Sequence, residues 1–457
     1  MNSHSPTGAP TLRRSISLPQ AVGVSFHQIV GGGVIALMGV AIGLTGGGTV
    51  WAFLLAAVAV AIYSLPMAAL GSAMPVTGGR YEYAARLISP SAGFATMWFS
   101  IAVTIQLSLM SLAGAEYLHS WVSWMPVRPV ALGLLTVFLL ANLFGASLSG
   151  RIGVVLGVVM LVAFAAFVVA GLPDVHWSAF HDVTPHGLSG MFTAAAMLTF
   201  ALTGSSYVAE IGGELKRPGR DVPLAMLGGI GLAVILYVLM ALPAVGVLPI
   251  GDVAGQPLTV VAEHLFSSPW LAFFILGGAL VSVVGHINSV LMTSTKPLLA
   301  AVHDGWFPGR LGAVNKRYST PHWLLLLLYA VGVVPILFDF SVANIAGMVS
   351  VAATPMLAII AVASLRLRTR FPELAQRAPF RMSRRTHLVV VVVSLAILGE
   401  QAYLLCKKLT GPALWTLAIW ALLGLVVWLL RRRAVGGAAD AGAMTPRVTH
   451  DDAAVTP

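Results

Sequence analysis

The amino-acid sequence predicts an all-α integral membrane protein with about twelve transmembrane helices. Three observations carry that reading. The 457 residues are 58% hydrophobic and 9% charged, with a mean hydropathy of +0.90, whereas soluble domains carry roughly 25% charged residues. Apolar runs of the ~20 residues that a helix needs to cross a bilayer recur from Ala21 to Leu430 with short breaks. Lys and Arg gather in those breaks and in the tails. Lipid gives backbone N–H and C=O groups no outside partner, so helices, which satisfy them internally, are the expected element.

In chain order the spans fall at about 21–44, 50–74, 91–118, 128–146, 151–172, 190–213, 222–247, 269–301, 321–338, 341–365, 387–406 and 411–431. The first 20 residues are polar, lack an apolar signal core and read as a cytosolic tail. Every even-numbered connection then carries cations: Arg80 and Arg86 after helix two, Arg151 after four, Lys216, Arg217 and Arg220 after six. Clusters at 310–317, 366–385 and 431–433 follow helices eight, ten and twelve. With the N-terminus inside, 22 of the 26 Lys and Arg residues lie on the cytoplasmic side, three lie outside (Arg128, Lys407, Lys408), and Lys296 sits within helix eight. A plasma (inner) membrane is the expected location, and such an imbalance supports this topology, with both termini cytoplasmic and an even number of spans. It also accounts for the net charge of +10 without nucleic acid. The Ala/Gly/Asp-rich stretch 432–457 reads as a disordered cytosolic tail.

One cysteine, Cys406, excludes an intramolecular disulfide and a cysteine metal cluster. The loop between helices five and six holds Asp174, His176, His181, Asp182 and His186, but irregularly spaced, so it reads as solvated loop and no metal is expected. There is no GxxxxGK[ST] phosphate loop, hence no direct use of ATP, and no cofactor is implied.

Two helices carry weak points. Helix one contains Gly31-Gly32-Gly33 after Ile29-Val30, and helix six contains Thr203-Gly204-Ser205-Ser206. A glycine in a helix interior costs roughly 1 kcal/mol against alanine and lets a ligand approach the backbone. Packing through small residues is one account. Paired breaks, each in the first helix of a five-helix set, are the mark of an inverted-repeat transporter. A half-helix start offers free N–H groups to a carboxylate and a half-helix end offers carbonyls to an ammonium, so a zwitterion suits both.

Four segments, in order, carry a resemblance: Gly31-Gly32-Gly33-Val34-Ile35; Pro75 through Gly78-Gly79-Arg80-Tyr81-Glu82-Tyr83; Phe200 through Gly204 and on from Glu214 to Pro223; and Lys296 to Pro308. Together they resemble the amino acid–polyamine–organocation (APC) superfamily of permeases across most of residues 20–430. The resemblance implies a LeuT-like fold: discontinuous helices one and six, a first five-helix repeat (21–173), a second (190–365), and two peripheral helices (387–431). It implies alternating access, and a gate role for Phe200 before the helix-six break. Departures stand out. Met160 falls where proton-coupled members often carry lysine, and Ser206 where some members with cationic substrates carry an acid. Lys296 replaces a frequent arginine.

The substrate-binding candidates are therefore Ile29, Gly31, Gly32, Gly33, Phe200, Gly204, Ser205 and Ser206. His286, inside apolar helix eight and flanked by Ser282 and Ser289, is a coupling-ion candidate, because ionisable groups in lipid usually face a cavity and histidine titrates near neutrality. Glu214, Arg220 and Asp304 are candidates for a cytosolic gate; solvated loop charge is the plain alternative. His27-Gln28 suits an entrance vestibule, and Gln106, Glu116, Asn288 and Glu400 receive no role. The expected function is secondary transport of an amino acid or related amine, as permease, symporter or exchanger, with a proton or sodium ion as coupling partner. An intramembrane enzyme or a channel is the alternative; neither clustered catalytic carboxylates nor a His/Glu metal motif appears, and the paired helix breaks favour a carrier over a channel.

Overall fold

A computed structural model describes residues 16–30, 33–76, 78–145, 150–315, 317–318 and 320–439. Gly31 and Gly32 lie outside the described residues, as do 1–15 and 440–457. Within the described residues the secondary structure is helical apart from one isolated backbone bridge. Among the described residues, nine segments are long and apolar enough to cross a membrane. One of these, Gly33–Ala73, bends at the 3-10 turn Gly46–Gly48 and supplies two crossings. The shorter apolar helices Val127–Leu143 and His322–Leu337 complete twelve.

The first span, α1, has two halves, Leu18–Ile29 and Gly33–Thr45. It begins where Ser17 and Gln20 form a reciprocal capping box, with Pro19 in the first turn. Then come α2 (Thr49–Ala73), α3 (Pro90–Val103 and Gln106–Trp121), α4 (Val127–Leu143) and α5 (Gly150–Gly171). α6 (Gly187–Leu202) ends in a 3-10 turn, Thr203–Ser206, and one further α-turn, Tyr207–Glu210. α7 is Pro218–Gly246. α8 runs Ser268–Phe273, then a π-helical stretch Phe274–Leu280, then Val281–His303. α9 (His322–Leu337), α10 (Val342–Arg370), α11 (Arg384–Cys406) and α12 (Gly411–Ala439) close the chain.

The predicted spans all recur, with the tenth extending to Arg370 and the twelfth past 431. Shorter helices at Gly79–Leu87, Ile250–Val253, Thr259–Leu265 and Pro372–Arg377 have no counterpart in the span list, because none is long enough to show as a hydrophobic run. Serine caps set several starts: Ser89, Ser341 and Ser383 each accept from the N–H three residues on.

α1 packs on α7, α2 on α6 and α7, and the second half of α1 on α6, so the two broken helices stand at the centre. α12 lies outermost, held to α3 by Trp98 and Trp420, whose rings stack at 4.8 Å while each indole N–H donates to the other's carbonyl. Large apolar side chains such as Leu422, Leu425 and Leu430 on α12 and Val158 and Val169 on α5 are exposed. A bilayer covers such a surface without cost.

Candidate functional site

The breaks in α1 and α6 meet. A Cβ built on Gly33 would lie 2.7 Å from the Ala201 Cα. One built on Gly204 would strike the Gln28 carbonyl and come within 2.7 Å of the Ile29 nitrogen. Both positions therefore need glycine for close backbone approach. The α6 break has a local cause as well: Thr203 and Ser206 hydroxyls donate to the carbonyls of Phe200 and Thr203, at 2.9 and 3.0 Å, which competes with the helical ladder. Tyr237 of α7 ties the crossing together. Its hydroxyl donates to the Ile29 carbonyl at 2.7 Å, with the Ala201 carbonyl 3.3 Å away.

Beside the crossing lies a cavity lined by residues of α2, α3, α6, α8, α10 and α11, together with Arg80. Phe200, Gly204 and Ser206 line it; Ser205 does not, and its fully buried hydroxyl has no partner among the described residues. Space for a water-sized sphere amounts to about 50 Å³, enough for a few waters but not for an amino acid without widening. α11 reaches this cavity through Leu398 and Gln401.

His286 also lines the cavity, its ring 6.5 Å from that of Phe200. Nε2 donates to Gln106 Oε1 at 3.0 Å, and Nδ1 is buried without a partner among the described residues. Gln106 in turn donates to the Tyr207 hydroxyl at 3.4 Å. Ser282 and Ser289 engage elsewhere: Ser282 donates to the Ala279 carbonyl at 2.8 Å, and Ser289 accepts from Gln28. His27 packs against Gly285, where a Cβ would be 2.6 Å from its Nε2.

The end of the bundle that holds Ile16 is cross-linked by charge. Lys296 of α8 pairs with Glu214 at 3.3 Å. Asp304 accepts from Tyr81 at 2.7 Å and lies 3.6 Å from Arg86, which also pairs with Glu82 at 3.0 Å. Burial, and then the Asp304 carboxylate, push the Tyr81 phenol far up, so it stays a donor. Arg220 is exposed and forms no ion pair among the described residues. Deeper, Arg80 pairs with Glu210 at 2.6 Å. The backbone bridge ties Ile16 to Glu214 and Lys216, at 3.1 and 2.9 Å.

At the opposite end, the segment 254–258 closes over α1. Gly255 N–H donates to the Gly39 carbonyl at 2.7 Å. The Tyr117 hydroxyl accepts from Leu258 N–H at 3.1 Å and reaches the Ile35 carbonyl at 3.5 Å. Contacts between helices thus cross-link the bundle at both ends. Tyr237, Tyr117 and the Arg80–Glu210 pair were not singled out by the sequence; a tyrosine in an apolar span reads as packing, and Arg80 read as loop charge.

A family profile described as amino acid permease matches residues 16–429. The chain belongs to the amino acid permease family. This permease is 25% identical to the branched-chain amino acid permease BcaP of Bacillus subtilis, over 93% of its own length and 95% of the relative's. It is 23% identical to the methylthioribose transporter of the same organism, over 93% and 94%. The vacuolar cationic amino acid transporter 2 of Arabidopsis thaliana is 25% identical over 78% of the permease and 60% of the relative. Membership makes the permease a multi-pass membrane transporter of the LeuT-like fold, not an enzyme. No group of three or more metal-ligating side chains occurs among the described residues.

Proposed function

We propose that the permease carries an amino acid by alternating access, holding it in the Phe200-lined cavity beside the crossed breaks. The observation that carries this is the mutual contact of Gly33 with α6 and Gly204 with α1, with Phe200, Gly204 and Ser206 of the α6 break lining the cavity beside that crossing. The substrate's carboxylate and ammonium are taken by backbone of Ile29–Gly33 and Gly204–Ser206, and Phe200 closes over it. The repeats 21–173 and 190–365 rock against each other, with 387–431 at the periphery. Both termini, with the tails 1–20 and 432–457, face the cytoplasm of a plasma-membrane carrier. The Glu214–Lys296 and Asp304–Arg86 pairs form the cytoplasmic latch, with Arg220 beside it at the surface. The BcaP relatives, named for branched-chain amino acids, support a neutral amino acid as cargo.

His286 is the proposed proton carrier, since of the three coupling candidates it alone lines the cavity. Ser282 and Ser289 flank it on the same helix. Proteoliposomes with proton and sodium gradients imposed separately test this. The His286→Gln variant is expected to lose accumulation driven by a proton gradient while keeping exchange of internal for external substrate. Undiminished proton-driven accumulation would remove His286 from the mechanism, and dependence on sodium alone would move the coupling to that ion.

A further inference from the structure

We propose that Arg80 reads the substrate's side chain and makes the permease select small neutral amino acids with a hydroxyl or carboxamide over branched aliphatic ones. This rests on the cavity being the transport site. Arg80 is buried and lines that cavity together with Ser206, Phe200 and His286. A guanidinium carries five N–H donors in a fixed fork. Nε is used by Glu210 at 2.6 Å, and one face is covered by the Tyr207 ring at 4.9 Å. The acceptor left for Nη1 among the described residues is the Met356 thioether at 3.6 Å, a weak one. Ser350, which lines the same cavity, has a hydroxyl without a partner among the described residues. One wall of the cavity therefore presents the Ser350 hydroxyl, unpartnered among the described residues, beside a guanidinium whose Nη1 has a weak thioether acceptor.

Charge narrows the choice. Glu210 is 1% exposed and already balances the guanidinium. A second carboxylate on the substrate would leave the site with an uncompensated negative charge, and a cationic side chain would meet a like charge. An aliphatic side chain would displace water from the N–H groups and give nothing back. A carboxamide or hydroxyl supplies an acceptor without altering the balance. Groups built to bond a polar atom reject analogues that lack it far more strongly than an apolar pocket rejects an added hydroxyl.

The test compares glutamine, serine, leucine, valine, glutamate and lysine at equal concentration, in proteoliposomes bearing both proton and sodium gradients. The wild-type permease is expected to take up glutamine or serine about ten- to a hundredfold faster than leucine. The double variant Arg80→Met/Glu210→Gln, which removes both charges together, is expected to bring that ratio to near one. Faster wild-type uptake of leucine or valine, or a double variant that keeps the wild-type ratio, overturns the proposal. Uptake of none of the six by the wild type overturns the amino acid carrier reading beneath it. Thermal unfolding of the purified wild type gives a readout independent of the variant's folding: glutamine or serine should raise the melting temperature more than leucine, and the reverse order refutes Arg80 as the reader.

Discussion

At Gly204 the α6 backbone lies so close to α1 that a methyl group would meet the Gln28 carbonyl and the Ile29 nitrogen, both main chain. Main chain yields less readily than a side-chain tip, so Gly204→Ala is expected to strain the crossing by about 1–3 kcal/mol and abolish uptake. Thermal unfolding and proteoliposome uptake measure the two effects; unchanged values in both would show that the crossing has slack. Tyr237→Phe keeps the ring but leaves the Ile29 carbonyl without its donor, at a cost of about 1–3 kcal/mol, read as a lowered melting temperature. Gly33 and Gly204 stood out in the sequence because a glycine inside an apolar span needs a reason, and both prove to be points of close backbone approach. Tyr237 was not, since only the tertiary contact shows its hydroxyl aimed at the break. Arg80 was misplaced for a related reason: adjacency to Gly78-Gly79 looks like a loop, and nothing local announces burial beside Glu210, 130 residues away.

Elements differ in how they close the cavity. The side chains of the Glu214–Lys296 pair are each 27% exposed, whereas those of Arg80 and Glu210 are 10% and 2% exposed. Exposed pairs contribute little and exchange readily with water, while a buried pair is costly to separate. Opening should therefore part α6 from α8 at Glu214 before it disturbs Arg80. At the other end the short helices Ile250–Val253 and Thr259–Leu265 flank a loop seated on Gly39. A Cβ on Gly39 would collide with the Gln256 carbonyl, so Gly39→Leu is expected to lift that loop. A cysteine at Leu258, in a chain with Cys406 replaced by alanine, should then react faster with an impermeant thiol reagent. Equal rates with and without Gly39→Leu would show that the loop closes by other contacts. These helices escaped the hydropathy reading because they are too short to span.

For the whole molecule, charge asymmetry predicts topology. An epitope tag after Pro457 is expected to be hidden in right-side-out vesicles and exposed in inverted ones; the opposite pattern would reverse the orientation. Span number and order were legible because lipid imposes length and composition on every crossing. The interruptions of α3 at Thr104 and Ile105 and of α8 at Phe274–Leu280 were not, since neither interruption holds proline and the Gly277-Gly278 pair lies within a continuous apolar run.

The π-helical stretch in α8 holds one residue more per turn than α-winding would, which is how an insertion is absorbed without breaking a span. A relative that winds this stretch as plain α would reach the level of His286 one position earlier. Without a gap there, the histidine would be matched to a residue about 100° around the helix. Among relatives 25% identical, its counterpart is better found by counting back from Asp304 than forward from Ser268.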